Sequence, residues 1–114
     1  MNKLIIAGNL GQDPDTRYFE SGNVVSRLSI AVTNYRKETT WFTAECWGKS
    51  AESAVNYLRK GQFVIVEGEA AVECWLSKQT GEPNAKPVVK NARWYFGGKN
   101  DNDAASSQYA DDEF

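Results

Sequence analysis

Apolar and polar residues alternate with a period of two along most of the first 96 residues, the pattern of strands buried on one face. Val24, Ser26, Leu28, Ile30 and Val32 fall on one side of a segment whose other, wetter side carries Val25, Arg27, Ser29, Ala31 and Thr33. From 41 to 47, Phe42, Ala44 and Cys46 alternate with Trp41, Thr43, Glu45 and Trp47. Between 63 and 76, Val64, Val66, Ala70, Val72, Cys74 and Leu76 share one side. Phe63, Ile65, Glu67, Glu69, Ala71, Glu73 and Trp75 share the other. Gly68 in the middle predicts a bulge or bend, which so long a strand needs if it is to curl around a barrel. Residues 3–8 and 87–96 supply two further strands.

One segment carries the helical period instead. Ala51, Ala54, Val55 and Leu58 recur at i, i+3, i+4 and i+7, with Ser50 as the candidate N-cap and Gly61 as the stop. Arg59 and Lys60 are expected in the last turn, where they suit the helix dipole. The connections are read as loops at 9–23, 34–40 and 77–86, each with turn formers. Five strands with one helix between the third and fourth predict an all-β, five-stranded Greek-key barrel, the OB-fold. No internal repeat is visible.

Composition narrows the picture by exclusion. The chain has 114 residues, 41% of them hydrophobic and 25% charged, which suits one small globular domain. Its apolar runs reach only four residues, against the roughly 20 that a bilayer-spanning helix needs, so no membrane span is expected. Gly8, Asn9 and Gln12 interrupt the N-terminal apolar stretch, so no secretory leader is expected and the location is read as cytoplasmic. There is no histidine, which removes the commonest general base and the commonest zinc ligand. Cys46 and Cys74 share parity with core positions and are read as buried, reduced hydrophobes. Asp13-Pro14-Asp15 is read as a capped turn rather than a cation site. Neither a metal nor a cofactor is expected.

The net charge of −2 hides an asymmetry. Residues 97–114 contain Asp101, Asp103, Asp111, Asp112 and Glu113 against Lys99 alone, while residues 1–96 are mildly basic. The last segment also lacks Val, Ile and Leu, so 97–114 is expected to be a disordered acidic tail behind a 1–96 domain.

The four tryptophans are the informative residues. Trp41 and Trp47 lie opposite the core parity of their strand, and Trp75 lies opposite Cys74 and Leu76, so all three are expected to face solvent. Trp94 shares parity with Val88 and Ala92 and is assigned to the core. Tyr35 tips the 34–40 loop between Asn34 and the cations Arg36 and Lys37. Exposed rings among scattered cations suit single-stranded nucleic acid, since bases stack on rings while Lys and Arg follow the phosphates. The alternative is that the rings form a dimer interface.

The residues also resemble a family. N-K-L-I-I-A-G-N-L-G-Q-D-P-D-T-R-Y at 2–18, W-F-T-A-E-C-W-G-K-S-A-E at 41–52, Y-L-R-K-G at 57–61 and V-E-G at 66–68 resemble bacterial-type single-stranded DNA-binding proteins. The resemblance covers nearly all of residues 1–96. It implies an OB-fold, binding of single-stranded DNA through stacking aromatics, and a homo-oligomer, with a tetramer ahead of a dimer. Position by position, Trp41 and Trp75 match the family's stacking tryptophans. Trp47 stands where the family often has Phe, and Tyr35 stands near a third tryptophan. Lys3, Lys49, Arg59 and Lys60 match basic positions.

The terminal Asp111-Asp112-Glu113-Phe114 resembles the acidic tip through which the family recruits replication and repair proteins, without the Ile-Pro that usually precedes Phe. Ala71, Glu73 and Cys74 replace bases that commonly precede the third aromatic. Phe42 stands where some members place a polar residue in subunit contacts. The resemblance implies a role in DNA replication, recombination and repair, close to the nucleoid. Two other readings compete. One is a primosomal replication protein of the same fold, against which the acidic tip argues. The other is an OB-fold scaffold for protein contacts. No catalytic motif is present, so an enzyme is not expected.

Overall fold

The computed structural model describes residues 1–98. The tail expected at 97–114 falls outside them apart from Gly97 and Gly98. The elements run β1 (Leu4–Leu10), β2 (Asp15–Tyr18), β3 (Val24–Thr33), β4 (Thr39–Trp47), α1 (Lys49–Tyr57), β5 (Phe63–Leu76) and β6 (Pro83–Phe96). β1 pairs antiparallel with β5, β5 with β6, and β4 with β3. β6 meets β4 in parallel where Thr43 lies opposite Val88 and Ala44 opposite Val89. β3 returns to β1 where Asn9 faces Ala31 and Leu10 faces Ile30, closing a five-strand ring. With one helix between β4 and β5, this is the OB-type barrel.

The ring closes because the core-parity side chains converge. Leu28, Ile30, Ala44, Val64, Val66 and Val89 are all buried, and each large one contributes roughly 1.5–3 kcal/mol of transfer free energy. α1 stoppers one end with Ala51 and Ala54, and Leu58 follows into the same core. Ser26, buried among these groups, donates its hydroxyl to Ala51 O at 3.0 Å. Ser50 donates to Ala92 O at 3.1 Å, and the Trp94 indole N–H donates to Ser50 O at 3.0 Å. These three bonds fasten the helix to opposite walls of the barrel.

Several local expectations change. Residues 15–18, read as loop, form β2, a four-residue flap paired with β3 outside the ring. The helix begins at Lys49 behind Gly48, whose positive φ of 60° makes the turn, and Ser50 is not its cap. Arg59 and Lys60 lie beyond the helix end. The Arg59 guanidinium reaches back to Val55 O at 2.8 Å and Leu58 O at 2.7 Å, satisfying carbonyls that the helix leaves free. Gly68 does sit at a register shift, between Glu67 and Glu69. Across from it, Asn91 adopts φ 51°. This irregularity resets parity in β6, so Trp94 shares the core side with Val89 and Ala92 rather than with Val88. Trp94 is half-buried against the core.

Past Ala71, β5 and β6 leave the ring as a two-stranded ribbon closed by the turn at 77–82. The Ser77 and Glu82 backbones pair across its end. The core-parity residues of the ribbon have no barrel beneath them. Val72 is 65% exposed, Leu76 67%, and Cys74 is exposed rather than buried.

Candidate nucleic-acid interface

Four strands, β3, β4, β6 and β5, present one continuous outer face. Trp41 and Trp47 stand six residues apart on β4, about 20 Å along the strand, with 55% and 44% of their surfaces exposed. Trp75 stands on the ribbon at 47%. Each ring has a local support. The Trp41 indole lies over Gly11, where an added Cβ would fall 2.6 Å from the ring. Trp47 stacks on Phe19 with centroids 6.2 Å apart and planes 18° from parallel. Lys86 places its ammonium 5.9 Å from the centre of Trp75. Tyr35, exposed at the β3–β4 turn, holds Arg36 5.4 Å from its ring centre and accepts its Nε–H at 3.0 Å. Lys37 follows with φ 65° in the same turn.

Between the tryptophans runs a ladder of alternating charge. Glu45 is buried at 5% exposure, with one carboxylate oxygen 3.2 Å from Arg27 and the other 3.4 Å from Lys90. Glu73 approaches Lys90 at 3.8 Å and Lys86 at 3.7 Å. Two cavities open on this face. One, of about 300 Å³, is lined by Arg17, Phe19, Arg27, Trp47, Glu73 and Lys90 among others. The second, of about 340 Å³, is lined by Glu73, Cys74, Trp75 and Lys86. Such a face offers flat apolar plates alternating with cations that already hold carboxylate partners.

The structure thus gathers Trp41, Trp47 and Trp75 on one surface, with Tyr35, Arg36 and Lys37 at the end of the β3–β4 hairpin that also carries Trp41. The other cations named from the sequence are dispersed. Lys3 pairs with Glu67 at 3.5 Å, at the end of β5 remote from Trp75. Lys49 opens α1 just beyond Trp47. Arg59 is engaged on helix carbonyls, and the Lys60 backbone N–H donates to Asp13 at 2.8 Å. The tip residues Asp111, Asp112, Glu113 and Phe114 lie outside the described residues.

Sequence reasoning missed Arg17, Phe19, Arg27, Lys86 and Lys90. Arg27 was marked by its wet-face parity on β3. The pair Arg17 and Phe19 gave no signal, because the flap that places them has no apolar alternation. Among the described residues no three His, Cys, Asp or Glu side chains gather to hold a metal. No helix there is long and apolar enough to cross a membrane.

Comparison with known proteins points the same way. A family model described as the single-strand binding protein family matches residues 1–95. The chain is 40% identical to single-stranded DNA-binding protein 1 of a Nostoc species, over 100% of this chain and 98% of that one. It is 38% identical to single-stranded DNA-binding protein 1 of a Synechocystis species, again over 100% and 98%. A single-stranded DNA-binding protein of Xanthomonas campestris is 37% identical over 87% of this chain and 62% of its own length.

Proposed function

Because the chain belongs to the single-strand binding protein family, we propose that it binds single-stranded DNA on the outer face of β3–β4–β6–β5, without catalysis. The observation that carries this reading is the exposure of three tryptophans on one surface interleaved with cations. Bases stack on Trp41, Trp47 and Trp75, and on Tyr35 at the hairpin end. Arg36 and Lys37 there, and Lys49 beside Trp47, meet the phosphates. Every base has a π-face, so sequence preference is small. Phe19 backs Trp47 and leaves one indole face for a base.

The biological role follows from this activity: protection of exposed strands during replication, recombination and repair in the cytoplasm. Copies of the chain associate, with a tetramer ahead of a dimer. Supporting this, among the described residues β1 pairs with β3 only at Asn9 and Leu10, so Leu4–Ala7 keep one open edge beside the 60%-exposed Ile5. The acidic tip Asp111–Phe114 recruits partner proteins, because a terminal Phe beside three acids suits an apolar pocket rimmed by Lys or Arg.

Tryptophan emission tests the reading directly. Titration with oligo-dT should quench it strongly, and duplex DNA should compete poorly because paired bases offer no free faces. Trp41→Ala or Trp75→Ala should each weaken binding by about 1–3 kcal/mol while the domain stays folded. A saturating oligonucleotide that left emission unchanged would exclude stacking. Added salt should weaken the complex steeply through counterion release, which a purely apolar protein interface would not show. Removing Asp111–Phe114 should leave DNA affinity equal or slightly higher while abolishing partner recovery in pull-downs. Identical sets of recovered proteins would reduce the tip to a solubilising segment.

A further inference from the structure

We infer that Glu73 reads the edge of a stacked base and biases this interface toward guanine. The inference rests on the proposed single-strand reading of the same face and adds a chemical preference to it.

Glu73 is placed for the task by register. It stands two residues from Trp75 on the same side of β5, about 7 Å along the strand. A base lying on the indole therefore brings its edge within reach of the carboxylate. Glu73 also lines both cavities of the face, the one walled by Phe19 and Trp47 and the one walled by Trp75.

Each of its two oxygens stands in a long ion pair, yet neither accepts a hydrogen bond among the described residues. The nearest ammonium groups, Lys86 at 3.7 Å and Lys90 at 3.8 Å, stand beyond hydrogen-bond distance. Glu45 makes the contrast, since it is buried and its cations approach to 3.2 and 3.4 Å. Glu45 is spent on the fold, whereas the Glu73 side chain keeps 31% of its surface exposed.

An ionised carboxylate accepts hydrogen bonds and donates none. Guanine alone among the four bases presents two adjacent donors, N1–H and the N2 amine, matching two carboxylate oxygens. Cytosine and adenine offer one amine beside a ring acceptor that the carboxylate repels. Thymine offers a single N–H between two carbonyls. Lys86 and Lys90 flank Glu73, so the phosphate of the same nucleotide meets cations and not bare negative charge.

The test compares three single strands by tryptophan quenching: oligo-dT, a repeat of dT-dT-dG, and the same repeat with deoxyinosine, which keeps N1–H and lacks the N2 amine. The guanine repeat should bind about tenfold more tightly than the inosine repeat. In Glu73→Ala the ratio should fall to about one, and Glu73→Gln, which keeps one acceptor oxygen, should lie between. Near-ultraviolet circular dichroism checks that both variants keep their packing. A wild-type ratio near one, or a ratio that survives in Glu73→Ala, overturns the inference while oligo-dT quenching leaves the single-strand reading standing. Absence of quenching by all three strands overturns that reading, and this inference with it.

Discussion

Cys46 is fully buried between β4 and the barrel interior, and loss of solvation pushes its thiol from the ordinary 9.0 up to about 11, with a hydrogen bond to Ser50 pulling the other way. Cys74, exposed on the ribbon, carries no such burial. At pH 8 a chromogenic thiol reagent should therefore modify one cysteine per native chain, Cys74, and two after denaturation. Recovery of both thiols from the native protein would place Cys46 outside the core. The sign of the linkage follows from the same shift. The unfolded thiol ionises near pH 9 and the folded one near 11, so stability is intact below pH 9 and declines as pH climbs toward 11. Cys46→Ala should flatten that part of the pH–stability curve, read by denaturant titration.

At the scale of elements, stability should grade sharply with burial. β2 pairs with β3 alone, and its four residues are exposed or half-exposed. β3, by contrast, has partners on both edges and a buried face. Amide exchange in Asp15–Tyr18 should thus run far ahead of exchange in Val24–Ile30, with the ribbon tip at 77–82 also fast. Equal protection in β2 and β3 would show the flap to be part of the cooperative core. The same gradient explains what the sequence revealed. Strands over the barrel were legible because alternation reports burial on one side. Asp15-Thr16-Arg17-Tyr18 has no apolar face and so left no mark. Alternation past Ala71 was read as core, but parity reports only which way a side chain points. It does not report whether a barrel lies beneath. Trp94 packs against the core as expected, but one residue at positive φ, Asn91, was enough to take Val88 off the side that Trp94 shares with Ala92. The outward tryptophans were recoverable for the reason the strands were. The cations beside them were not: Arg17 sits on a flap with no apolar face, Lys86 on the far arm of the ribbon opposite Glu73, and Lys90 meets Glu45 only through the parallel β4–β6 join.

For the molecule as a whole, closure depends on its parallel join. The hairpins β3–β4 and β5–β6 link neighbours in the chain, whereas Thr43–Val88 and Ala44–Val89 join distant segments. Local pairings cost less loop entropy, so the hairpins should form before the join does. Val88 is fully buried there, and Val88→Ala should destabilise the fold by about 2 kcal/mol. Most of that loss should appear as faster unfolding, with refolding nearly unchanged in a stopped-flow chevron. Slowed refolding of the same size would place the join in the nucleus. Thr43, one side of the join, lies between Trp41 and Trp47 on the outer face. A strand of DNA bound across both rings, as proposed, would therefore lie over this seam like a splint. Cargo should lengthen the lifetime of the folded protein without hastening its birth, so a loaded molecule outlasts an empty one under the same stress.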